Sequence, residues 1–401
     1  MGKLLNIKYG GLHGTYWMYY GIATSFASVL LLARGYSNGE IGIILAVANV
    51  AAVFLQPVVA DFADRSKKIS LLGFLEASTI FLMVLTLFTY ILQQKSAALW
   101  LVYVITVAWF ITIQPLFNSL AFKLEETGVH INFGICRSVG SFCYAVLCAF
   151  MGTLVEAKGV QVLPVSGEII LLLLLFTIFV TKRQYDKMKK QTGSAAEVQV
   201  QETLNDEEIN LAQFVRRNKL FVLMSVGCIG IFFGNSILNS FMLQVVEGVG
   251  GNSEDMGRIL SVMAFLEIPA LVLFDRIRQK FSCQFLLKIG AVSFFIKILL
   301  IYLADSVTMI YVAHIFQTSS YGLFLPAMVV FINEIMARGE AVKGQALYTV
   351  MTTAASVIAS ICGGFILDLS GPSMLLLVST VLTVVGALFV LLIVDRIKRK
   401  E

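Results

Sequence analysis

Four residues able to carry charge or trade hydrogen bonds stand inside otherwise apolar stretches of the second half of the chain: Glu267, Lys297, His314 and Gln317. A charge in hydrocarbon costs several kcal/mol, so an ionisable group at that depth needs a counter-charge, a hydrogen-bonding partner or a wet cavity, and marks a functional site by default. Glu267 precedes Asp275, where its apolar run ends, by eight residues, too far for a short carboxylate to reach water. Lys297 stands at similar depth in the next run, and His314 and Gln317, three apart, share one helical face. A carboxylate, an ammonium and an imidazole gathered there can bind and release a proton. A static Glu267 to Lys297 ion pair is the structural alternative.

The first half offers recognition chemistry instead. Arg137 presents a rigid fork for hydroxyls or a carboxylate, and Tyr144, seven residues on, follows it two turns along the same face. An aromatic face stacks on a sugar ring or a base. Arg137 is about one and a half turns from the end of its run, so snorkelling to the interface is the competing reading. Asn118, and Asn235 with Asn239 four apart, add amides that suit neutral hydroxylated ligands or helix-to-helix contacts. Tyr16, Trp17, Tyr19 and Tyr20 surround their helix, so some must pack while others, Tyr20 among them, line a cavity. Glu76 lies nearer the end of its run and reads as structural.

The elements that must position these groups follow from composition. The 401 residues are 58% hydrophobic and only 14% charged, with a mean hydropathy of +0.85, which requires a bilayer as solvent. At roughly 20 apolar residues per span, this length accommodates about twelve helices. Apolar runs place them near 11–33, 41–60, 69–92, 98–122, 132–155 and 166–181, then 219–246, 256–274, 284–304, 307–332, 344–367 and 371–394. The expected fold is therefore an all-α membrane protein: a six-helix domain over 1–181, a linker over 182–218 and a second six-helix domain over 219–401.

Basic residues fix the expected orientation. Lys3 and Lys8, Arg65 with Lys67 and Lys68, Arg276 with Arg278 and Lys280, and the Arg396 to Lys400 cluster all fall on one side if the spans alternate. That places both termini and the linker in the cytoplasm. The first part of the linker, including Gln191 to Ser194, lacks apolar periodicity. Its second part predicts a helix, with Asn205 as cap, Glu208 reaching back, and Leu211, Phe214 and Val215 lying on the membrane surface.

Several classes are excluded. The net charge of +5 is dispersed over short loops, which argues against nucleic acid. The six cysteines lack metal-ligand or Cys-x-x-Cys spacing and read as reduced packing residues. No nucleophile elbow, zinc-protease or phosphate-loop motif appears, so neither an enzyme nor a cofactor beyond a coupling proton is expected. Met1 to Lys8 has no cleavage site of signal-peptide type.

The halves also repeat each other. Gly35 to Val47 (GYSNGEIGIILAV) aligns with Gly250 to Val262 (GGNSEDMGRILSV), each ahead of the second span of its half. Those spans then end in Asp64-Arg65 and Asp275-Arg276, each followed by bases. Parallel duplication of this kind is the architecture of a large class of secondary transporters.

The segment from Gln56 to Lys68, ending in Asp64-Arg65, resembles the loop between spans two and three of the major facilitator superfamily, with Ala60 in place of its first glycine and its second glycine missing. Asn132 to Phe142 (NFGICRSVGSF), Leu266-Glu267-Ile268-Pro269 and Gly344 to Tyr348 (GQALY) resemble the branch holding lactose permease, nucleoside:proton symporters and phenylpropionate permeases. The resemblance implies an inner gate at Asp64, Arg65, Asp275 and Arg276. It implies a substrate role for Arg137, and a coupling role for Glu267, Lys297 and His314. Gln317 stands where that branch carries a further carboxylate, which leaves the proton carrier open between Glu267 and His314.

Together these readings predict a monomeric transporter of the cell inner membrane that couples a proton to symport of a small polar organic solute: a sugar, a nucleoside or an aromatic acid. Uniport, or a nontransporting sensor on the same fold, are the alternatives.

Overall fold

A computed structural model describes residues 2–65, 70–192, 211–337 and 340–397, and no strand occurs among them. The chain divides into two compact units, Met1–Val200 and Gln201–Glu401. In the first, α1 is a bent span (Leu4–Ser25 plus Ala27–Ala33, 41° between them), followed by α2 (Asn38–Arg65), α3 (Leu71–Ile91), α4 (Ala97–Glu125), α5 (Phe133–Lys158) and α6 (Val162–Thr192). In the second, a short helix, Leu211–Arg217, precedes α7 (Lys219–Ser240), α8 (Ser253–Arg278), α9 (Cys283–Tyr302) and α10 (Val307–Ile335). The stretch Ala341–Ile393 is interrupted at Gly371 (φ 76°, ψ −177°), which separates α11 (341–370) from α12 (372–393). Positive φ suits glycine, and Pro372 then starts the next helix with no N–H to satisfy. Among the described residues ten helices are long and apolar enough to span a membrane; the bent α1 makes eleven, and the division at Gly371 gives twelve.

The sequence repeat has a structural counterpart. Gly35 and Gly250 both adopt positive φ (89° and 81°). Two residues later, Ser37 with Glu40 and Asn252 with Asp255 each form a reciprocal cap on the following helix.

Two boundaries differ from those expected. The helix that carries the first part of α1 starts at Gly2, ahead of the span itself and of the expected residue 11, and α6 runs past 181 to Thr192. Both polar extensions are tied to neighbours. Asn6 bonds His130 O and Asn132 N, and Lys8 donates to Val180 O and Gln184 Oε1. Lys182 pairs with Glu76, and Tyr185 donates to Glu126 Oε2 at 2.8 Å. Partial burial opposes ionisation of Glu126, but hydrogen bonds from Lys123 and Tyr185 and the charges of Lys123 and Lys189 outweigh it, holding its carboxyl below the usual range.

The linker helix also departs from expectation. Residues 193–210, with the expected Asn205 cap, lie outside the described residues. Phe214 does not lie on a membrane surface: it is fully buried among Phe221, Met224 and Ile393. Arg217 and Asn218 fasten this helix by reaching Glu340 at 3.2 and 3.1 Å.

Within the second unit, α7 and α12 pack backbone to backbone. A Cβ at Gly230 would stand 2.2 Å from Leu382 O, and one at Gly386 2.4 Å from Gly227 O. Helix α10 is irregular: a 3₁₀ turn, His314–Gln317, passes into a π turn, Thr318–Gly322. Pro326 accounts for the π turn, because it lacks an N–H and its ring crowds the carbonyl of residue 322, so the preceding turn widens.

Candidate functional site

The second unit gathers one polar cluster from four helices. Gln317 on α10 accepts from Lys297 Nζ on α9 at 2.8 Å through Oε1, and donates through Nε2 to Glu267 Oε1 on α8 at 2.6 Å. Lys297 also reaches Asn235 Oδ1 on α7 at 3.4 Å, and its ammonium stands 5.1 Å from the Phe294 ring centroid. Lys297, Gln317 and Asn235 are buried, whereas Glu267 is half-buried. An ammonium only donates and a carboxylate only accepts, so the amide between them is fixed in one orientation. The cluster thus has a direction, from an enclosed cation to an accessible carboxylate.

The irregular stretch of α10 makes this possible. Thr318 Oγ1 donates to Leu266 O at 2.7 Å, which clips the π turn to α8 beside Glu267. His314 shares the cluster's neighbourhood but not its bonds: Nδ1 contacts Ile310 O at 2.8 Å, and Nε2 is buried without a hydrogen-bond partner among the described residues. Asn239, one turn beyond Asn235, is half-buried and makes no side-chain hydrogen bond among the described residues.

The first unit holds an aromatic file with a cation at one end. The Arg137 guanidinium lies 3.9 Å over the Trp17 ring and donates to Ser141 Oγ at 3.2 Å. Ser141 lies one turn further into α5, so Arg137 turns into the helix bundle rather than snorkelling to the near end of α5. From Trp17 the file continues to Tyr20 (5.0 Å between centroids) and Tyr144 (6.1 Å), and the Tyr144 hydroxyl meets Ser25 Oγ at 2.9 Å. Ser25 closes the π turn Gly21–Ser25 of α1.

The aromatic run of α1 is divided as its spacing requires. Tyr16 and Tyr19 are buried, with hydroxyls on Phe110 O and Thr86 Oγ1, while Trp17 and Tyr20 keep part of their surface open. Asn118 is not brought to this file; its side chain is exposed, and Tyr9 reaches its backbone carbonyl.

Asp64 and Arg65 end α2, and their side chains lie outside the described residues. Asp275 and Arg276 are exposed at the end of α8, where Arg278 forms the ion pair, with Glu334 at 3.1 Å. Sequence reasoning passed over three further groups. Among the described residues, Glu168 on α6 has a buried oxygen without a hydrogen-bond partner, His13 on α1 is buried with both ring nitrogens unbonded, and the buried Arg34 donates to Gln161 Oε1 at 3.5 Å. Each was legible by the rule that selected Glu267: an ionisable group in or beside an apolar run.

Residues 9–399 match the MFS_1 like family. The uncharacterized transporter YwbF of Bacillus subtilis (strain 168) is 22% identical over 341 residues, covering 83% of this chain and 79% of YwbF. Among solved structures, nucleoside transporter NupG superposes with a TM-score of 0.76 at 14% identity, covering 99% of this chain and all of NupG. A bacterial homolog of the human lysosomal transporter Spinster, inward-facing and unoccupied, gives 0.67 at 13% identity over 99% of this chain and 97% of its own. The structures share the fold, and the family match runs through both units: the chain belongs to the MFS_1 like family and is a multi-pass membrane transporter of the major facilitator superfamily.

Proposed function

We propose that the protein is a proton-coupled symporter of a small polar organic solute, working by alternating access in the cell membrane with both termini in the cytoplasm. The observation that carries this reading is the Lys297–Gln317–Glu267 relay, in which the only half-exposed member is the carboxylate. A proton arriving on Glu267 removes its charge and makes one of its oxygens a donor, so the bond it accepts from the Gln317 amide loses its charge assistance. Because the amide belongs to the irregular turn of α10, protonation alters how α8 and α10 hold together, and that link between charge and packing is what coupling needs.

The Arg137–Trp17–Tyr20–Tyr144 file supplies the recognition surface: a fork for hydroxyls or a carboxylate, and partly open rings on which a planar group stacks. Among the three solute classes a nucleoside fits this pairing best, and NupG, a nucleoside transporter, shares the fold. The test begins with purified protein screened for thermal stabilisation by nucleosides, sugars and aromatic acids. The stabilising ligand is then added to proteoliposomes containing a pH-sensitive dye. Symport predicts ligand-driven proton entry; ligand entry with no proton signal identifies a uniporter.

A further inference from the structure

We propose that the end of α6 nearest the linker is a binding site for an anionic glycerophospholipid. An exposed apolar stripe runs along this helix through Leu172, Phe176 and Phe179 and then, in the same register, becomes Arg183 and Lys187. The spacing of three and four residues keeps all five on one face. A cleft of about 460 Å³ opens at the change from ring to charge, lined by Phe179, Lys182, Arg183, Asp186 and Lys187.

The bases in this cleft are not equivalent. Lys182 is paired with Glu76. Arg183 and Lys187 are exposed and make no hydrogen bond or ion pair among the described residues, so two like charges stand one turn apart, a mildly unfavourable arrangement. A phosphate between them removes that repulsion, and Arg183 offers it a fork. Acyl chains lie along Leu172, Phe176 and Phe179, which already face outward in a helix that spans the bilayer. The occupant therefore has an apolar tail and an anionic head, which matches a phospholipid and not a soluble anion. Asp186 in the same lining disfavours a zwitterionic head less than it disfavours an anionic one, so the predicted selectivity rests on the two unpaired bases.

The test titrates the full-length detergent-solubilised protein with palmitoyl-oleoyl phosphatidylglycerol, with the phosphatidylcholine of the same chains, and with inorganic phosphate, reading apparent affinity from thermal stabilisation. Phosphatidylglycerol is expected to bind more tightly than phosphatidylcholine, and inorganic phosphate to have no effect. The double variant Arg183→Gln, Lys187→Gln is expected to bind phosphatidylglycerol roughly thirtyfold more weakly while its response to phosphatidylcholine is unchanged. Lys158→Gln, at the far end of α5, is expected to leave the preference intact. Equal response to both lipids in the unaltered protein, a full phosphatidylglycerol preference in the double variant, or stabilisation by inorganic phosphate alone would each overturn the proposal. If the double variant fails to fold, Lys187→Gln alone, expected to lose about fivefold, decides the question in the same titration.

Discussion

Gln317 stands between Lys297 and Glu267 with its amide held one way round, accepting at 2.8 Å from the ammonium and donating at 2.6 Å to the carboxylate. Neither residue of a conventional ion pair needs to touch the other for their charges to be linked. An amide in this position transmits a change at one end to the other, because it satisfies both only in one orientation.

Removing the amide should therefore strand Lys297. Gln317→Leu leaves a buried ammonium with Asn235, among the described residues, as its hydrogen-bond acceptor in this cluster, and a loss of about 3 kcal/mol in stability is expected. Gln317→Glu keeps an acceptor for Lys297 and sets a second carboxyl against Glu267, where the pair holds one shared proton, so it should cost clearly less than the leucine. Thermal unfolding of the purified variants measures both, and equal losses would show that the side chain matters for volume alone.

Recognition is predicted to need the guanidinium rather than its charge. Arg137→Lys keeps the charge but loses the planar group stacked on Trp17 and the fork beyond it, so ligand affinity should fall about tenfold. Affinity unchanged in a direct binding titration would move recognition away from Arg137 to the amides and aromatic rings.

The proposed orientation, with both termini in the cytoplasm, rests on the distribution of Lys and Arg. A single cysteine replacing Ser194, in a background freed of the six native cysteines, should resist an impermeant maleimide in intact cells and react after permeabilisation. Ready labelling of intact cells would invert the topology.

The end of α6 nearest the linker should show its own pH dependence. Glu126 is held below the usual carboxylate range, so its contribution to stability is fully present above that range and lost as pH falls through its folded value. Glu126→Gln is expected to lower the unfolding temperature at pH 7 and to match the unaltered protein in strong acid. A gap between the two that stays constant from neutral to acid pH would assign the effect to packing.

Much of the fold was legible because a spanning helix needs only a long apolar run, and eleven of the breaks between runs carry charge, glycine or proline. The polar ends of α1 and α6 were not, since Lys8, Lys182 and Tyr185 are helical by virtue of partners on other helices, which no local pattern records. At the site, the depth of Glu267 and Lys297 marked them out. That Gln317 would join them while His314 turned to Ile310 depends on the 3₁₀ and π turns of α10, where 3.6-residue periodicity no longer says which way a side chain faces. Phe214 was misplaced for a related reason: an amphipathic pattern shows that one face is covered, not whether lipid or protein covers it.

Glu267 is proposed to carry the coupled proton, and Glu267→Gln isolates that role because the amide keeps size and hydrogen bonding while removing the titration. The measurement is ligand accumulation against a gradient, beside equilibrium exchange, in proteoliposomes loaded with a pH-sensitive dye. Accumulation and proton entry are both expected to vanish in the variant while exchange survives. A Glu267→Gln protein that still concentrates its ligand with proton entry would contradict it and pass the role to His314.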